Sequence, residues 1–217
     1  MHLPPLIPPV SITPYLSCSG VINCTNAEIR TLARTITTSE IDDIERTRTL
    51  YTWVRDSIAH SVDAGHKDLM WNATDVLNAR HGLCFGKSHL FVALCRALGI
   101  PAGLCYQRVR SENGSWVLHG LAAVYIEPLD KWIRLDPRGN KPGISAEFSI
   151  EYEQIAYEPV SEGEWLDQHI YPEPWQDVSH LVELSMNVPE FIENSGKIHI
   201  PPITQERIQI MKSSCSS

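Results

Sequence analysis

The 217-residue chain has no apolar run approaching the ~20 residues that a bilayer-spanning helix requires, so no membrane segment is expected. It has no excess of basic residues. Its 18 lysines and arginines are scattered and stand against 26 aspartates and glutamates, for a formal net charge of −8. A nucleic-acid surface normally shows a basic stripe, so no nucleic-acid partner is expected. Internal repeats and long low-complexity linkers are also missing, which leaves a single domain over residues 1–217 with one sizeable core. The N-terminal MHLPPLIPPVSITPYL lacks a basic n-region, and prolines interrupt its apolar residues, so it does not read as a secretory signal. It reads as an extended, polyproline-like segment lying against the body of the domain.

Six cysteines are present, widely spread at Cys18, Cys24, Cys84, Cys95, Cys105 and Cys215. With no export signal read, the expectation is reduced thiols and a cytoplasmic location. Cys95 falls inside a long helical pattern and Cys105 inside a strand pattern, so both read as small core hydrophobes. Cys215 belongs to a polar tail whose last residues, 213–217, are expected to fray.

The first half of the chain has helical grammar. Thr25 followed by Glu28 makes a capping-box pattern, with Ile29, Leu32, Ala33 and Ile36 on one face. A second helix follows Ser39, with Ile41, Ile44, Tyr51, Val54 and Ile58 on its buried side. Thr74 is placed to cap a short helix ending near Arg80. Leu90, Phe91, Leu94 and Leu98 then recur at spacings of three and four until Gly99 and Pro101 stop the pattern. After Pro101, AGLCYQRVR and WVLHGLAAVYIE flank an Asn-Gly turn, and KWIRLDP forms a third short strand. Helices followed by an antiparallel meander predict an α+β fold in which the sheet packs on the long helix. From Arg138 onward the pattern weakens, and EYEQIAYEPV reads as a strand or an extended crossing.

Cys84 stands at the first turn of the long helix, where unpaired N–H groups and the helix dipole favour negative charge. A thiol there tends to ionise more readily, and the thiolate is the nucleophile. A cysteine nucleophile needs a base and a group to orient that base. His119, in the second strand, and Asp136, ending the third, are the available pair. Adjacent antiparallel strands bring such side chains together on one face, with the helix expected to lie across that face.

RHGLCFGKSHLFVALCRALGIPA, HGLAAVY and WIRLDPR resemble the cysteine, histidine and aspartate motifs of the transglutaminase-like superfamily, in that order. The upstream RTLYTWVRDSIAHS is similar to the family's preceding helix, so the resemblance covers roughly Ile41 to Arg138. It implies a papain-like α+β core over about 26–138, with 139–217 as a less regular extension. It also implies that Cys84 is the nucleophile, His119 the general base and acid, and Asp136 the orienting carboxylate. Such enzymes form a thioester on peptide, protein or small-molecule acyl substrates and need no cofactor for the chemistry. Hydrolysis of a peptide or other amide bond is the expected activity. Acyl transfer or amide formation is the alternative within the enzyme class, and a non-catalytic binding module is the alternative outside it. The family often has an aromatic residue two positions after the histidine and an acidic one four after; here those positions hold Leu121 and Ala123. Substrate contacts on that strand are therefore expected to differ. No calcium-binding loops are seen, so no calcium requirement is expected.

Four further residues are candidates for substrate contact. Lys87 follows Cys84 by one helical turn; it reads first as a solvated lysine, and alternatively as a cation bordering the acyl site that pairs with a substrate carboxylate. Arg138 invites the same thought. Trp71 or Asn72 is placed to supply a second oxyanion donor beside the Cys84 N–H. Trp116 and Trp132 read as packing on the sheet. A zinc site from His81, Cys84, His89 and Cys95 is disfavoured, because Cys84 and His89 lie about 500° apart around a helix and paired short spacings are missing.

Overall fold

The computed structural model describes residues 3–111 and 113–198; Cys215 and the tail at 213–217 lie outside them. Helix α1 (Ala27–Ile36) is capped by Asn26, whose side chain accepts from the N–H groups of Glu28 and Ile29. The capping box read at Thr25 is therefore displaced by one residue, in favour of the stronger capping type. Helix α2 (Asp43–Ser57) begins on Asp42, which accepts from the Glu45 N–H. Tyr51, Val54 and Ile58 are buried as expected, but Ile41 precedes the cap and is 91 % exposed. Strand β1 (Ala59–His60) follows. Helix α3 (Ala73–Ala79) is capped by Asn72 and not by Thr74.

Strand β2 (His81–Gly82) pairs in parallel with β1 and delivers the chain to helix α4 (Cys84–Ala97). The sequence shows one apolar stripe on this helix, yet every residue from Cys84 to Arg96 is buried. Helices α1, α2 and α3 pack around one side of it and the sheet covers the other. Strands β3 (Ala102–Arg110), β4 (Trp116–Ile126) and β5 (Lys131–Leu135) form the expected meander. A short β6 (Trp165–Leu166) is added outside β3, giving the antiparallel order β5-β4-β3-β6. Gly114 turns the first hairpin with φ +82°, a left-handed conformation that side-chain-bearing residues rarely adopt.

The extension is more regular than its sequence reads. Besides β6 it holds α5 (Gln176–Leu184) and α6 (Val188–Ser195), and Trp175, Val178, Val188 and Phe191 join the main core. EYEQIAYEPV forms no strand; it makes an isolated bridge, Glu147 to Gln154, and otherwise has bends and no regular element. The proline-rich start does lie on the body: Ile7 N–H donates to Gln168 O at 2.8 Å, and Tyr15 is buried with its hydroxyl on Ile170 O at 2.7 Å.

Cysteine chemistry corrects the sequence reading. Cys18 and Cys24 are joined in a disulfide, so the thiols are not uniformly reduced. Cys95 and Cys105 are free and fully buried, and burial pushes the Cys105 thiol up to about 12 and raises that of Cys95 as well.

Candidate active site

Side chains alternate between the two faces of β4. Leu118, Ala122, Val124 and Ile126 pack in the cluster that contains α4, whereas Leu121 and Ala123 belong to a second cluster with Tyr15, Cys105 and Trp132. His119 alternates with the first set. The helix therefore does not lie across the face that carries His119, as expected from the sequence, and its N-terminus reaches the histidine at an open strand edge. Strand β5 pairs with β4 only from Ala122 opposite Leu135 onward, so Gly120 has no neighbour there. The Gly120 N–H donates to Cys84 Sγ at 3.4 Å, and the Ser88 hydroxyl donates to Gly120 O at 3.3 Å. A Cβ at Gly120 would stand 2.7 Å from the Phe85 ring and 3.1 Å from Phe85 Cα, so only glycine lets strand and helix approach this closely. Leu121 and Ala123 are wholly buried in the second cluster and are not available to substrate.

His119 Nε2 donates to Asp136 Oδ2 at 2.8 Å, which leaves Nδ1 free for a second partner, and the Cys84 sulfur lies within electrostatic reach of the ring. Burial alone would lower the His119 pKa. The Asp136 carboxylate and the Cys84 sulfur outweigh it and raise the ring to about 10. Asp136 is fully buried; desolvation is opposed by His119 and by N–H donors from Ala156 at 2.9 Å and Arg138 at 3.1 Å, and its carboxyl stays below the usual range. Tyr51 donates its hydroxyl to Asp136 O at 2.9 Å, tying the end of β5 to α2. Cys84, His119 and Asp136 are thus together, at 6 %, 3 % and 0 % exposure.

The segment that the sequence left weakest closes this site. The Tyr157 ring stands edge-on to His119 with centroids 5.1 Å apart, and Gln107, opposite His119 in the sheet register, donates to Tyr157 O at 2.9 Å. Gln107 is wholly buried in β3 beside the polar Tyr106 and Arg108, and its side-chain N–H group meets this segment from elsewhere in the chain.

Lys87 corrects its first reading. It is not solvated but wholly buried, its ammonium donating to Arg55 O at 3.0 Å and to Ile58 O, the carbonyls at the end of α2. Asn72 is engaged with Asp75: its Oδ1 accepts from the Asp75 N–H as the cap of α3, and its Nδ2 donates to the Asp75 carboxylate. That gives Asn72 a structural part and leaves it unsuited to an oxyanion contact. Trp71 lies nearer: its ring packs beside Phe85 and edge-on to His89, and its carbonyl accepts from His89 Nδ1 at 2.8 Å. Trp132 packs on the sheet against Tyr15 and Tyr125, and Trp116 lies under the guanidinium groups of Arg108 and Arg110. Among the described residues no cluster of three or more His, Cys, Asp or Glu side chains is arranged to hold a metal ion. His81 instead bonds Ser61 and stacks on His66.

Residues 30–137 match the model of the transglutaminase-like superfamily. Kyphoscoliosis peptidase of Mus musculus is 31 % identical over 104 residues, which are 43 % of this chain and only 15 % of that protein. The crystal structure of a protein described as a candidate cysteine protease from Cytophaga hutchinsonii overlays with a TM-score of 0.51 at 22 % identity, covering 61 % of this chain and 45 % of that one. The periplasmic domain of TgpA from Pseudomonas aeruginosa overlays with a TM-score of 0.42 at 19 % identity, over 57 % of this chain and 45 % of that one. The cytoplasmic location expected from the cysteines does not stand, because Cys18–Cys24 is a disulfide, a bond rare in a reducing cytosol. A helix-borne cysteine meeting a strand histidine and aspartate in the matched span, on an α+β core with an antiparallel sheet, places the chain in the transglutaminase-like superfamily.

Proposed function

We propose that the protein is a cysteine-dependent acyl enzyme that forms a thioester at Cys84 and hydrolyses a peptide or other amide bond. The observation that carries this reading is the convergence of Cys84, His119 and Asp136: His119 bonds Asp136 at 2.8 Å, the Cys84 sulfur acts on the His119 ring, and the next residue of the strand, Gly120, donates its N–H to that sulfur. In the proposed step, the Cys84 thiolate attacks the carbonyl carbon while the imidazolium of His119 stands beside it. The oxyanion forms next to the Cys84 N–H, one of the unpaired donors of the first turn of α4. His119 gives its proton to the leaving nitrogen, the C–N bond breaks and the thioester remains. Water then loses a proton to His119 and attacks the thioester carbon, and the thiolate is expelled with release of the acid. Asp136 keeps the Nε2–H side of the ring fixed throughout. The name of the mouse relative, a peptidase, supports an amide bond as the one broken.

The test is selective alkylation followed by trapping. Iodoacetamide at about pH 6 should label Cys84 while the fully buried Cys95 and Cys105 stay unlabelled, and His119→Ala should slow the labelling of Cys84 to the rate of an unactivated thiol. A Cys84 rate that His119→Ala leaves unchanged would leave a transglutaminase-like binding module. Incubation of the protein with a peptide library and intact-mass analysis should reveal an acyl adduct on Cys84. If a primary amine added to that mixture is incorporated in preference to water, the enzyme is an acyltransferase and the hydrolytic half of the reading falls.

A further inference from the structure

A cleft of about 390 Å³ opens between the end of α2 and the loop after β5, beside the triad. Four cations line it, Arg55, Lys87, Arg138 and Lys141, against two carboxylates, Asp56 and Asp63. Three of the cations are paired: Arg55 with Asp56 and Glu147, and Arg138 and Lys141 with Asp63. Lys87 makes no ion pair among the described residues; its two partners are neutral carbonyls. An ammonium has three N–H donors, so one is left over. A buried cation with no counter-charge is costly. Burial, and then repulsion from Arg138, brings Lys87 down from 10.5 to about 7. His60 adds a second unmet group, since its buried Nδ1 has no hydrogen-bond partner and Asp63 Oδ2 stands 3.6 Å away.

We propose that this cleft is an oxyanion subsite, filled by a carboxylate of the acyl substrate that supplies the counter-charge Lys87 lacks. Arg138 joins the subsite to the thiol: its N–H holds Asp136, its guanidinium holds Asp63, and it lies within electrostatic reach of Cys84. The substrate is then an acidic peptide, bearing either an aspartate or glutamate side chain near the broken bond or a free C-terminal carboxylate. Placing the carboxylate on the acyl substrate rests on the catalytic reading above, whereas oxyanion binding by the cleft does not.

The sign of the pH dependence follows from the groups that face Lys87. Arg55 and Asp56 come from α2, His60 and Asp63 from the segment after it, and Asp136, Arg138 and Lys141 from the end of β5 and beyond. Burial and then Arg138 lower His60 to about 3, so it is neutral near pH 7. Asp63 is held below its ordinary value, its burial outweighed by Arg138. Lys87, brought down to about 7, is the group among them whose charge changes near neutral pH. A carboxylate binds its charged form, so affinity falls as pH rises; the bound anion in turn favours the ammonium, which displaces the fall above 7.

Calorimetry on the 217-residue chain carrying Cys84→Ser, with Ac-Ala-Glu-Ala-amide, Ac-Ala-Gln-Ala-amide and Ac-Ala-Ala-Ala free acid as probes, tests this without turnover. At about pH 6 the Glu probe or the free acid should bind about tenfold more tightly than the Gln probe, the worth of one charge-assisted hydrogen bond. Preference for the Glu probe assigns a side-chain carboxylate, and preference for the free acid assigns a chain terminus. Backbone NMR signals of Ala59, Asp63 and Gly139 should move, and the preference should shrink by about pH 9 as Lys87 discharges. Lys87→Met should abolish the preference. Should that variant fail to fold, Lys141→Ala, at a half-exposed position, should weaken it while the pH profile of the parent protein decides. Equal binding of all three probes, a pH-independent preference or shifts confined to another surface would overturn the subsite. An acyl adduct formed on Cys84 from neutral peptides would still stand in that case.

Discussion

The two faces of the sheet are built on different chemistry. Toward α4 it presents Leu104, Tyr106, Leu118, Ala122, Val124, Ile133 and Leu135, which pack into one apolar cluster. The opposite face has a smaller cluster around Tyr15, Leu121, Ala123 and Trp132, interrupted by buried Gln107, His119 and Arg134. Apolar burial is non-directional, so the first face asks only for volume and close packing. Each buried polar group on the second face needs a partner at a fixed place. Arg134 finds Glu153 at 2.5 Å and Asp167 O at 3.0 Å, Gln107 finds Tyr157, and Asp136, just past the end of β5, finds Ala156 and Arg138. The α4 face should therefore set stability, and the other face the geometry of the thiol's partners.

Asp136→Asn gives the largest expected separation of the two. It keeps the volume but removes the charge that fixes His119, and the rate of thioester formation should fall by about 10⁴-fold, the scale of loss when a triad's orienting carboxylate is neutralised. NMR titration of the imidazole should show the cause. A ring raised to about 10 contributes stability that is complete below its unfolded value and is lost as pH climbs through 10. In the variant the ring should titrate lower and the alkaline loss should begin earlier. An unchanged titration would mean that Asp136 does not hold the ring.

Phe91→Ala attacks the apolar cluster that the α4 face of the sheet joins. Phe91 is wholly buried in α4 and stands edge-on to Tyr51 at 6.0 Å, so its truncation should cost about 3–5 kcal/mol in denaturant unfolding. Below the unfolding transition, the ratio of Cys84 to Cys95 alkylation should stay as in the parent protein. Gly120→Ala acts where the faces meet. Its methyl would press on the Phe85 ring and backbone, an overpacking worth about 3 kcal/mol, and would lift the N–H off the sulfur. Stability near neutral pH and Cys84 reactivity should fall together in this variant; loss of one without the other would separate strand placement from thiol activation.

How much of this was readable follows from the same division. Periodicity marks elements that bury a stripe, so the hairpin, β5 and the long helix were placed well and the motifs on them came together. Helix starts slipped at Asn26, Asp42 and Asn72, because several capping types compete within a few residues and only geometry chooses. Lys87 was misjudged because burial of an ammonium depends on carbonyls about 30 residues away, at the end of α2. Ala156 and Tyr157 escaped because their contribution runs through a backbone N–H, a carbonyl and a ring edge in a segment with no period.

Removing the Cys18–Cys24 bridge should have the smallest effect and gives the sharpest control. The two cysteines are six positions apart, a short loop whose closure is worth about 2 kcal/mol in the chain-entropy model. The loop is also held independently of sulfur: Arg96 Nη1 donates to Ser17 O at 2.5 Å, the Ser19 hydroxyl to Glu173 at 2.7 Å, and the Ala73 N–H to Val21 O at 3.0 Å. These anchors sit on the last turn of α4, the segment before α5 and the start of α3, away from Gly120 and Asp136. Alanine at both positions, preferable to serine because Cys24 is 2 % exposed, should lower unfolding stability by about that amount. The alkylation rate of Cys84 should not change. A parallel fall in reactivity would show that the N-terminal segment sets the thiol's geometry through α4, and the separation between the two faces of the sheet would be lost.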